Sequence, residues 1–375
     1  MKIKNVDVEL ISNSRNESCL QVTINNTFTG SSGSDNLNNN VKEMPDVSIT
    51  FLNKILNKGL FGVNVDSFKD ILEIEELLMS YDGTKNLGKI GSNLLLALDY
   101  ALLKLASNNN PLKIITRKPD NVPVHILPCA VTNFTEKSRR FQEFYIIPKV
   151  KNFNDGFFAN SFVYTRLKSL LKNSERTDDG SFITELKNEN VLYLLEKLTE
   201  ETTKKLGVEF SLGMNLNCEN IFSKGIYKFN KQSYSFNEFA SEVNKLTGKF
   251  DLEYLEDPLN RENIQNIGKI KGDFISGNRI FNGDLDNIKK YAKFFNCCVL
   301  KLNEIGSLTR LKKITDFCKN NDISLILEQN LGETSETAIC DIAVGFDFDF
   351  VKYGIYGKER ILKLHELKRI EQELL

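Results

Sequence analysis

The sequence predicts an α/β protein in which a barrel follows a smaller N-terminal α+β domain. Residues 122–375 alternate short apolar runs with amphipathic helical segments, a rhythm typical of parallel strands joined by helical crossovers. Over a segment of this length, a closed (β/α)8 barrel is the economical form. Residues 1–121 begin with strand-like alternation and continue with helical periodicity. Four prolines from Pro111 to Pro128 interrupt regular structure, which places the boundary near Val122 and predicts domains at 1–121 and 122–375.

The N-terminal domain is predicted to contain two strands, a loop and three helices. Alternating apolar residues indicate strands within Lys2–Ser12 and Leu20–Phe28. The tract Thr29–Asn40, TGSSGSDNLNNN, is polar and low in complexity, and it is expected to form a flexible loop. Apolar residues spaced by three and four then predict helices in ITFLNKILNKGL, FKDILEIEELLMS and GSNLLLALDYALLKLAS.

Composition and charge narrow the class of protein. With 49 basic and 50 acidic side chains, the chain has no overall field that would attract nucleic acid or an anionic membrane, so neither partner is expected. The seven cysteines form no CxxC pair and are expected to be reduced and mostly buried. No apolar run is long enough for a membrane span, and the N-terminus lacks a signal pattern. These features predict a soluble, cytoplasmic protein.

Charged and amide side chains stand where several predicted barrel strands end. In barrels of this kind the chemistry lies at the carboxyl ends of the strands. Any one of these residues could instead only cap the following helix. The strand-end residues are Glu143, Asn215, Glu256, Asn278, Arg279, Lys301, Glu328 and Lys352.

Lys301 is the most informative of these residues because it stands between Leu300 and Leu302 in a predicted buried strand. A buried ammonium without a partner is costly, so its pKa should fall, which suits proton abstraction. Lys352 ends a later strand and adds a second cation. The two lysines together predict a site that binds a carboxylate or stabilises a carbanion.

The order of these segments resembles the enolase family, the phosphopyruvate hydratases of glycolysis, from nearly one end of the chain to the other. The matching segments, with the family's pattern in parentheses, are NSRN (DSRGNP), SSGS (PSGAS), FQEFYIIP (MQEFMILP), DDGSF (GDEGGFAP), YLEDP (SIEDP), VLKLNEIGSLT (LLKVNQIGSVT), LGETSET (SGETEDT) and KRIEQEL (LMRIEEEL). The resemblance implies an enolase-like (β/α)8 barrel capped by the small N-terminal domain.

The resemblance also implies catalytic roles for four residues. In the family, the lysine matched by Lys301 removes the proton alpha to the substrate carboxylate. The residue matched by Asp179 is a glutamate that assists departure of the hydroxyl, and Glu143 keeps the family's glutamate. The resulting enolate needs cations to stabilise it, which in the family are Mg²⁺ and the lysine matched by Lys352.

The sequence departs from the family pattern at residues that bind the metal and the substrate phosphate in the family. Of three metal carboxylates, Glu256 persists, whereas Asn215 and Asn278 replace the other two, and Arg279 adds a cation beside them. The family's phosphate-binding S-H-R-S segment reads Glu-Gln-Asn-Leu over 328–331. The loops that close over the ligand are shortened or lack histidine, and neither His125 nor His365 matches an active-site histidine. We therefore expect weak or absent Mg²⁺ binding and lost or strongly reduced hydratase activity.

Three functional hypotheses remain open. The chain could be a binding or regulatory module with a pocket for a small carboxylate or phosphorylated acid, an active magnesium-dependent hydratase, or another proton-abstracting lyase in which Arg279 partly replaces the metal. Structural alternatives also stand beside the catalytic roles. Lys301 could form a buried ion pair with Glu256 or Glu328, Glu143 and Lys352 could neutralise each other, and Asp178 and Asp179 could only begin a turn at Gly180.

The resemblance also implies a homodimer. In the family, a glutamate on an early strand pairs with an arginine of the neighbour's RIEEEL helix. Here Gln21 replaces the glutamate, while Arg369 persists, so one charge pair between subunits loses its anion.

Overall fold

The computed structural model describes residues 1–35, 41–44, 47–116, 122–132, 141–229 and 231–375, with the backbone alone for 127–132. It confirms the predicted class: a nearly closed barrel with surrounding helices follows a small antiparallel sheet with helices. The predicted domain boundary falls at the edge of a segment outside the described residues, so it stays a prediction.

The N-terminal part pairs three antiparallel strands in the order β1-β2-β3. These strands are β1 (Val6–Ser12), β2 (Ser18–Ile24) and β3 (Phe28–Ser31). The helices that follow are α1 (Ile49–Leu60), α2 (Phe68–Asp82), α3 (Ser92–Ser107) and the short α4 (Leu112–Ile115). The two predicted strands and three predicted helices are therefore confirmed.

The predicted flexible loop is wrong over its described part. Thr29 to Ser31 belong to β3, and Asp35 is buried. At Gly30 a Cβ atom would lie 2.2 Å from the carbonyl oxygen of Ala97, so the glycine permits β3 to pack closely on α3. Residues 36–40 of the tract lie outside the described residues.

The second part contains the barrel strands and their helices. Its strands are β4 (Val124–His125), β5 (Leu127–Thr132), β6 (Glu143–Lys149), β7 (Phe182–Thr184), β8 (Glu209–Asn215), β9 (Phe222–Ser223), β10 (Ile226–Phe229), β11 (Gln232–Tyr234), β12 (Leu252–Glu256), β13 (Phe274–Gly277), β14 (Cys297–Lys301), β15 (Ser324–Glu328) and β16 (Phe350–Lys352).

The α-helices of this part are α5 (Phe153–Leu170), α6 (Asn188–Leu206), α7 (Cys218–Ile221), α8 (Phe236–Phe250), α9 (Leu285–Tyr291), α10 (Leu302–Ile305), α11 (Leu308–Lys319), α12 (Ala338–Gly345) and α13 (Lys358–Leu374). Short 3-10 helices span Ile264–Lys269 and Ala292–Phe294. None of the helices in the described ranges is both long and apolar enough to cross a membrane.

The barrel sheet runs in the order β4-β16-β15-β14-β13-β12-β8-β6-β5-β7. Only Ile126 separates β4 from β5 along the chain. In the sheet, β4 lies at one end of the strand order and β5 lies next to the other end, so the sheet curves until it nearly closes. The expectation of a wholly parallel barrel is wrong at one place, because β6 runs antiparallel to both β5 and β8. The first residue of β6 therefore lies at the same edge as the last residue of β8.

The barrel interior is a small apolar cluster below the mouth. The larger core fills the space between strands and helices and continues into the N-terminal part. All six cysteines whose side chains are described are free and buried, as predicted. The interior cluster consists of Ile126, Tyr145, Ile147, Tyr254, Cys297, Val299 and Ile326.

Candidate functional site

Strand register brings most of the predicted site residues to one edge of the barrel. Lys301, which ends β14, is level with Glu328 of β15, and Glu328 is level with Lys352 of β16. On the other side, Asn215 ends β8 level with both Glu256 of β12 and Glu143 of the antiparallel β6. Asn278 follows β13 directly. These strand-end side chains thus form a polar ring at one edge of the barrel.

The ammonium of Lys352 occupies the centre of this ring. Its Nζ atom lies 3.0 and 3.2 Å from the two oxygens of Glu256, 3.1 Å from Oε1 of Glu328 and 3.4 Å from Oε2 of Glu143. All four side chains are buried or half-buried. The suggested ion pair between Glu143 and Lys352 is therefore observed, and the same ammonium also contacts Glu256 and Glu328.

Both asparagines that replace family acids donate hydrogen bonds into the same cluster. Asn215 Nδ2 donates to Glu256 Oε1 at 3.0 Å and to Glu143 Oε2 at 3.1 Å. Its Oδ1 accepts from the backbone N–H of Asn217, which fixes the orientation of the amide. Asn278 Nδ2 donates to Glu256 Oε1 at 2.8 Å and to Glu328 Oε2 at 3.1 Å. The amides thus face the carboxylates with their N–H groups.

Two tyrosines complete the ring from below, and the sequence interpretation missed them. Tyr145 hydroxyl donates to Glu143 and lies 3.1 Å from Glu256 Oε2, while Tyr254 hydroxyl lies 2.8 Å from the same oxygen. Both side chains are buried on inward-facing positions of β6 and β12. Their position two residues from a strand-end glutamate on the same face was the available signal, because side chains alternate along a strand.

Lys301 is held by a residue of the N-terminal part. Its Nζ atom lies 3.1 Å from Oδ2 of Asp35 and 4.0 Å from Glu328. The Asp35 backbone N–H donates to Glu43 Oε1 at 3.0 Å, and its other carboxylate oxygen accepts from the Leu331 N–H. The suggestion of a buried ion pair for Lys301 is confirmed, although the main partner is Asp35 and not Glu256. The SSGS match next to Asp35 was the signal for this residue.

The expected fall in the pKa of the site lysine is wrong. Burial lowers the pKa of Lys301, but nearby carboxylates, that of Asp35 foremost, outweigh burial and raise it above its ordinary value. The pKa of Lys352 is likewise raised, because the carboxylates of Glu143 and its neighbours outweigh burial. Burial raises the pKa of Glu143, yet the ammonium of Lys352 and hydrogen bonds lower it overall. The cluster therefore favours charged lysines.

Asp179 lies in a turn and makes no hydrogen bond to the site lysines within the described ranges. Its Oδ1 accepts from the Thr177 hydroxyl and, at 3.0 Å, from the Ser181 N–H. Asp178 pairs with Arg15 at 3.4 Å. The turn at Gly180 suggested from sequence is observed. The Asp179 backbone nevertheless passes close to Gly354, two residues beyond Lys352.

Residues 328–331, which the resemblance matches to the family's phosphate-binding segment, make contacts within the protein. The Gln329 amide oxygen accepts from Arg360 Nε at 2.7 Å and from the Gly354 N–H at 2.8 Å. Asn330 is buried, whereas Leu331 is partly exposed. Arg279 is exposed, and its backbone N–H donates to Asp257. Arg279 therefore does not join the lysines at the centre of the ring.

The donor set at the ring does not fit a divalent metal. Oε1 of Glu256 already faces Lys352 and two amide N–H donors, and Oε2 faces Lys352 and the hydroxyls of Tyr254 and Tyr145. The asparagines that could offer oxygens present N–H groups instead. Across the described ranges, no group of three or more His, Cys, Asp or Glu side chains is placed to hold a metal ion. Mg²⁺ needs several free oxygens in octahedral array, which this arrangement does not provide.

The nearly closed barrel, the antiparallel N-terminal sheet with its helices, and the strand-end lysines Lys301 and Lys352 define a barrel protein of the enolase type. The family model described as "Enolase, C-terminal TIM barrel domain" matches residues 125–375. The chain therefore belongs to the enolase family.

Relatives named enolase match most of the chain at low identity. The enolase of Archaeoglobus fulgidus is 26% identical over 333 residues, which cover 84% of this chain and 82% of that protein. The enolase of Methanothermobacter thermautotrophicus is 26% identical over 354 residues, covering 88% and 84%. The enolase of Ehrlichia ruminantium is 27% identical over an alignment of 414 residues, covering 100% and 97%. The similarity to these enolases thus extends along most of the chain.

Proposed function

We propose that this enolase-family protein has lost, or retains only a trace of, phosphopyruvate hydratase activity and acts as a binding or regulatory module. The observation that carries the proposal is that Asn215 and Asn278 direct N–H groups at Glu256, whose two oxygens also face the Lys352 ammonium. In the family the lysine matched by Lys352 acts together with the metal, so the lysine alone does not displace an ion. Here both asparagines turn N–H groups towards Glu256, and a divalent ion would find no free oxygen ligands.

Proton abstraction from the substrate is disfavoured by the state of Lys301. A general base must be neutral, and it works best when its pKa lies near the working pH. Asp35 holds Lys301 in its charged form and raises its pKa. At neutral pH only a very small fraction of the amine is free to accept a proton.

Stabilisation of the reaction intermediate is disfavoured as well. A doubly negative enolate requires an excess of positive charge around it. Four carboxyl groups, those of Asp35, Glu143, Glu256 and Glu328, contact the two lysines. With more carboxyl than ammonium groups, the ring repels a dianion unless a multivalent cation is added. Loss of a single preorganised stabilising group commonly costs about 10²- to 10³-fold in rate, and here several are replaced.

A coupled assay with 2-phosphoglycerate and excess Mg²⁺ tests the proposal. We expect turnover at or near background, equal in the protein and in its Lys301→Ala variant, with an active enolase as the positive control. Clear turnover that disappears in Lys301→Ala and on chelation would overturn the proposal in favour of a magnesium-dependent hydratase. Turnover that is lost in the variant but survives chelation would instead favour a metal-independent, proton-abstracting lyase.

A homodimer is a separate part of the proposal and is supported by the family alone. Arg369, the family's inter-subunit arginine, pairs with Glu366 and Glu373 of its own helix. Gln21 donates to Glu9 on the neighbouring strand. We expect light scattering to give twice the monomer mass at micromolar concentration, and a single monomer mass would contradict this part.

A further inference from the structure

A polar pocket of about 490 Å³ opens at the start of α13, at the side of the barrel mouth. Ser174, Arg176, Asp178, Glu359 and Arg360 are among the residues that line it. None of these residues belongs to the ring around Lys352. Two guanidinium groups on one pocket are the feature that the proposed function leaves unexplained.

Arg360 is a buried cation without an acid partner. Its side chain is 2% exposed, and among the described residues no carboxylate lies within ion-pair distance of it. Nη2 donates to the carbonyl oxygens of Leu331 at 2.7 Å and Asn330 at 3.4 Å, and Nε donates to Gln329. Nη1 has no hydrogen-bond partner within the described ranges. It lies 3.9 Å from the position a Cβ atom would take on Gly357, which lines the pocket.

Arg176 faces the same pocket in a fixed orientation. Its guanidinium carbon lies 4.9 Å from the ring centre of Phe182 and 4.9 Å from that of Tyr356. The side chain makes no hydrogen bond or ion pair to any described residue. Stacking holds a guanidinium by its faces and leaves its N–H edge free to donate. A planar edge of this kind suits the paired oxygens of a phosphate or carboxylate.

The carboxylates that line the pocket do not neutralise the charges of both Arg176 and Arg360. Asp178 is paired with Arg15 at 3.4 Å, which leaves Glu359 as the other carboxylate among the lining residues. The 17-residue helix α13 also starts here, and its N-cap residue Gly357 supplies no side-chain hydrogen bond to the first turn. The resulting surplus of N–H donors and positive charge favours an anion.

We propose that this pocket binds an oxyanion of the phosphate type, either inorganic phosphate or the phosphate group of a small monoester. Arg176 contributes the stacked guanidinium edge, and Arg360 contributes Nη1 from the buried side. The site is separate from the barrel mouth, so it does not depend on whether catalysis survives there.

Calorimetric titration of the whole protein with inorganic phosphate, O-phosphoserine, serine and acetate at constant ionic strength tests the site. We expect saturable binding of inorganic phosphate or phosphoserine and none of serine or acetate. Preference for phosphoserine assigns the site to monoesters, and preference for inorganic phosphate assigns it to the free ion. Binding of neither, or equal binding of acetate, overturns the proposal.

Substitutions inside and outside the pocket test whether phosphate binds there. Arg176→Gln should weaken phosphate binding at least about tenfold, the scale of one lost charge-assisted contact. Arg166→Gln, at an exposed arginine paired with Glu201, serves as the matched control and should bind as the parent does. Equal affinity of Arg176→Gln and the parent overturns the proposal.

A substitution of the buried Arg360 could disturb the fold, so a second variant tests the pocket while both arginines stay in place. Ser174→Asp adds a carboxylate to the pocket while both arginines remain, and it should abolish binding. Ser169→Asp, on the exposed surface of α5, is its control. Retention of binding in Ser174→Asp would show that the anion binds outside this pocket and would overturn the proposal.

Discussion

Lys301 Nζ lies 3.1 Å from Asp35 Oδ2, across 266 positions of sequence. The lysine ends barrel strand β14, and the aspartate follows β3 of the N-terminal sheet, so one ion pair joins the two parts of the molecule at the barrel mouth. Both side chains are buried. The pair holds the Lys301 side chain in place and favours its charged form.

Asp35→Asn should destabilise the fold by about 3–5 kcal/mol, because it leaves the buried Lys301 ammonium without its nearest anion. Urea unfolding of Asp35→Asn, Lys301→Met and the double variant would measure this. Since the two residues interact directly, we expect the double variant to lose clearly less than the sum of the single losses.

The exposed pair Lys319–Asp347, with a separation of 2.9 Å, is the control for burial. Asp347→Asn should cost less than about 1 kcal/mol because solvent screens the pair. If the losses of unfolding free energy in Asp35→Asn and Lys301→Met simply added up in the double variant, the two residues would not stabilise each other.

Lys352→Met should create a site for a divalent cation while destabilising the protein. Removal of the ammonium leaves three carboxylates without a counter-charge, which costs about 3–5 kcal/mol. A bound divalent ion would offset part of this cost by mass action. Thermal unfolding with Mg²⁺ or EDTA should therefore show a rise in Tm with Mg²⁺ for the variant and none for the parent.

Lys363→Met is the matched control because Lys363 is also buried and pairs with Glu333 at 2.9 Å, away from the ring. It should be destabilised without recovery in Mg²⁺. A rise in Tm with Mg²⁺ in the parent protein would mean that metal and Lys352 share the ring, against the proposed function.

Asn215→Asp with Asn278→Asp should lower stability in EDTA by a few kcal/mol, because each change replaces N–H donors to Glu256 with further negative charge. Mg²⁺ should restore much of the loss. Chemical unfolding with and without Mg²⁺ provides the measurement. Asn244→Asp, at a half-buried amide outside the ring that also donates a hydrogen bond, is the control. A double variant as stable as the parent in EDTA would contradict the assigned donor roles of the amides.

The strand-end ring was predictable because it follows from local pattern. Apolar runs ending in Glu256, Lys301 and Lys352 place those side chains at the carboxyl edge once parallel strands are assumed. Glu143 was assigned from the family resemblance, and its place at the edge depends on β6 running antiparallel to its neighbours, which no local pattern signalled.

The partners of the lysines were not predictable from composition or periodicity. Asp35 lies in a tract that reads as a polar loop, and only the three-dimensional fold brings it to Lys301. An isolated buried ammonium is predicted to have a lowered pKa, which is the expectation that Lys301 does not meet. The actual sign depends on Asp35 and Glu328, whose distances the sequence does not give.

Asp341→Asn should make the protein more stable at pH 8 and leave it nearly unchanged at pH 4. Asp341 is buried on α12, and burial, with a further contribution from Glu366, raises its pKa to about 7 from 3.8. Because the folded-state pKa is the higher one, the unfolded state releases its proton first, and stability falls as pH rises from about 4 to 7. The neutral asparagine can still accept the hydrogen bond from the Leu112 N–H and does not titrate.

The difference in unfolding free energy between Asp341→Asn and the parent should grow from near zero at pH 4 to about 4 kcal/mol at pH 8. Urea unfolding at pH 4, 5, 6, 7 and 8 measures it. Asp316→Asn, at an exposed acid paired with Lys312, should show a difference below about 1 kcal/mol across this range. A constant difference for Asp341→Asn would mean that the carboxyl titrates alike in both states, because only a shifted pKa makes stability depend on pH.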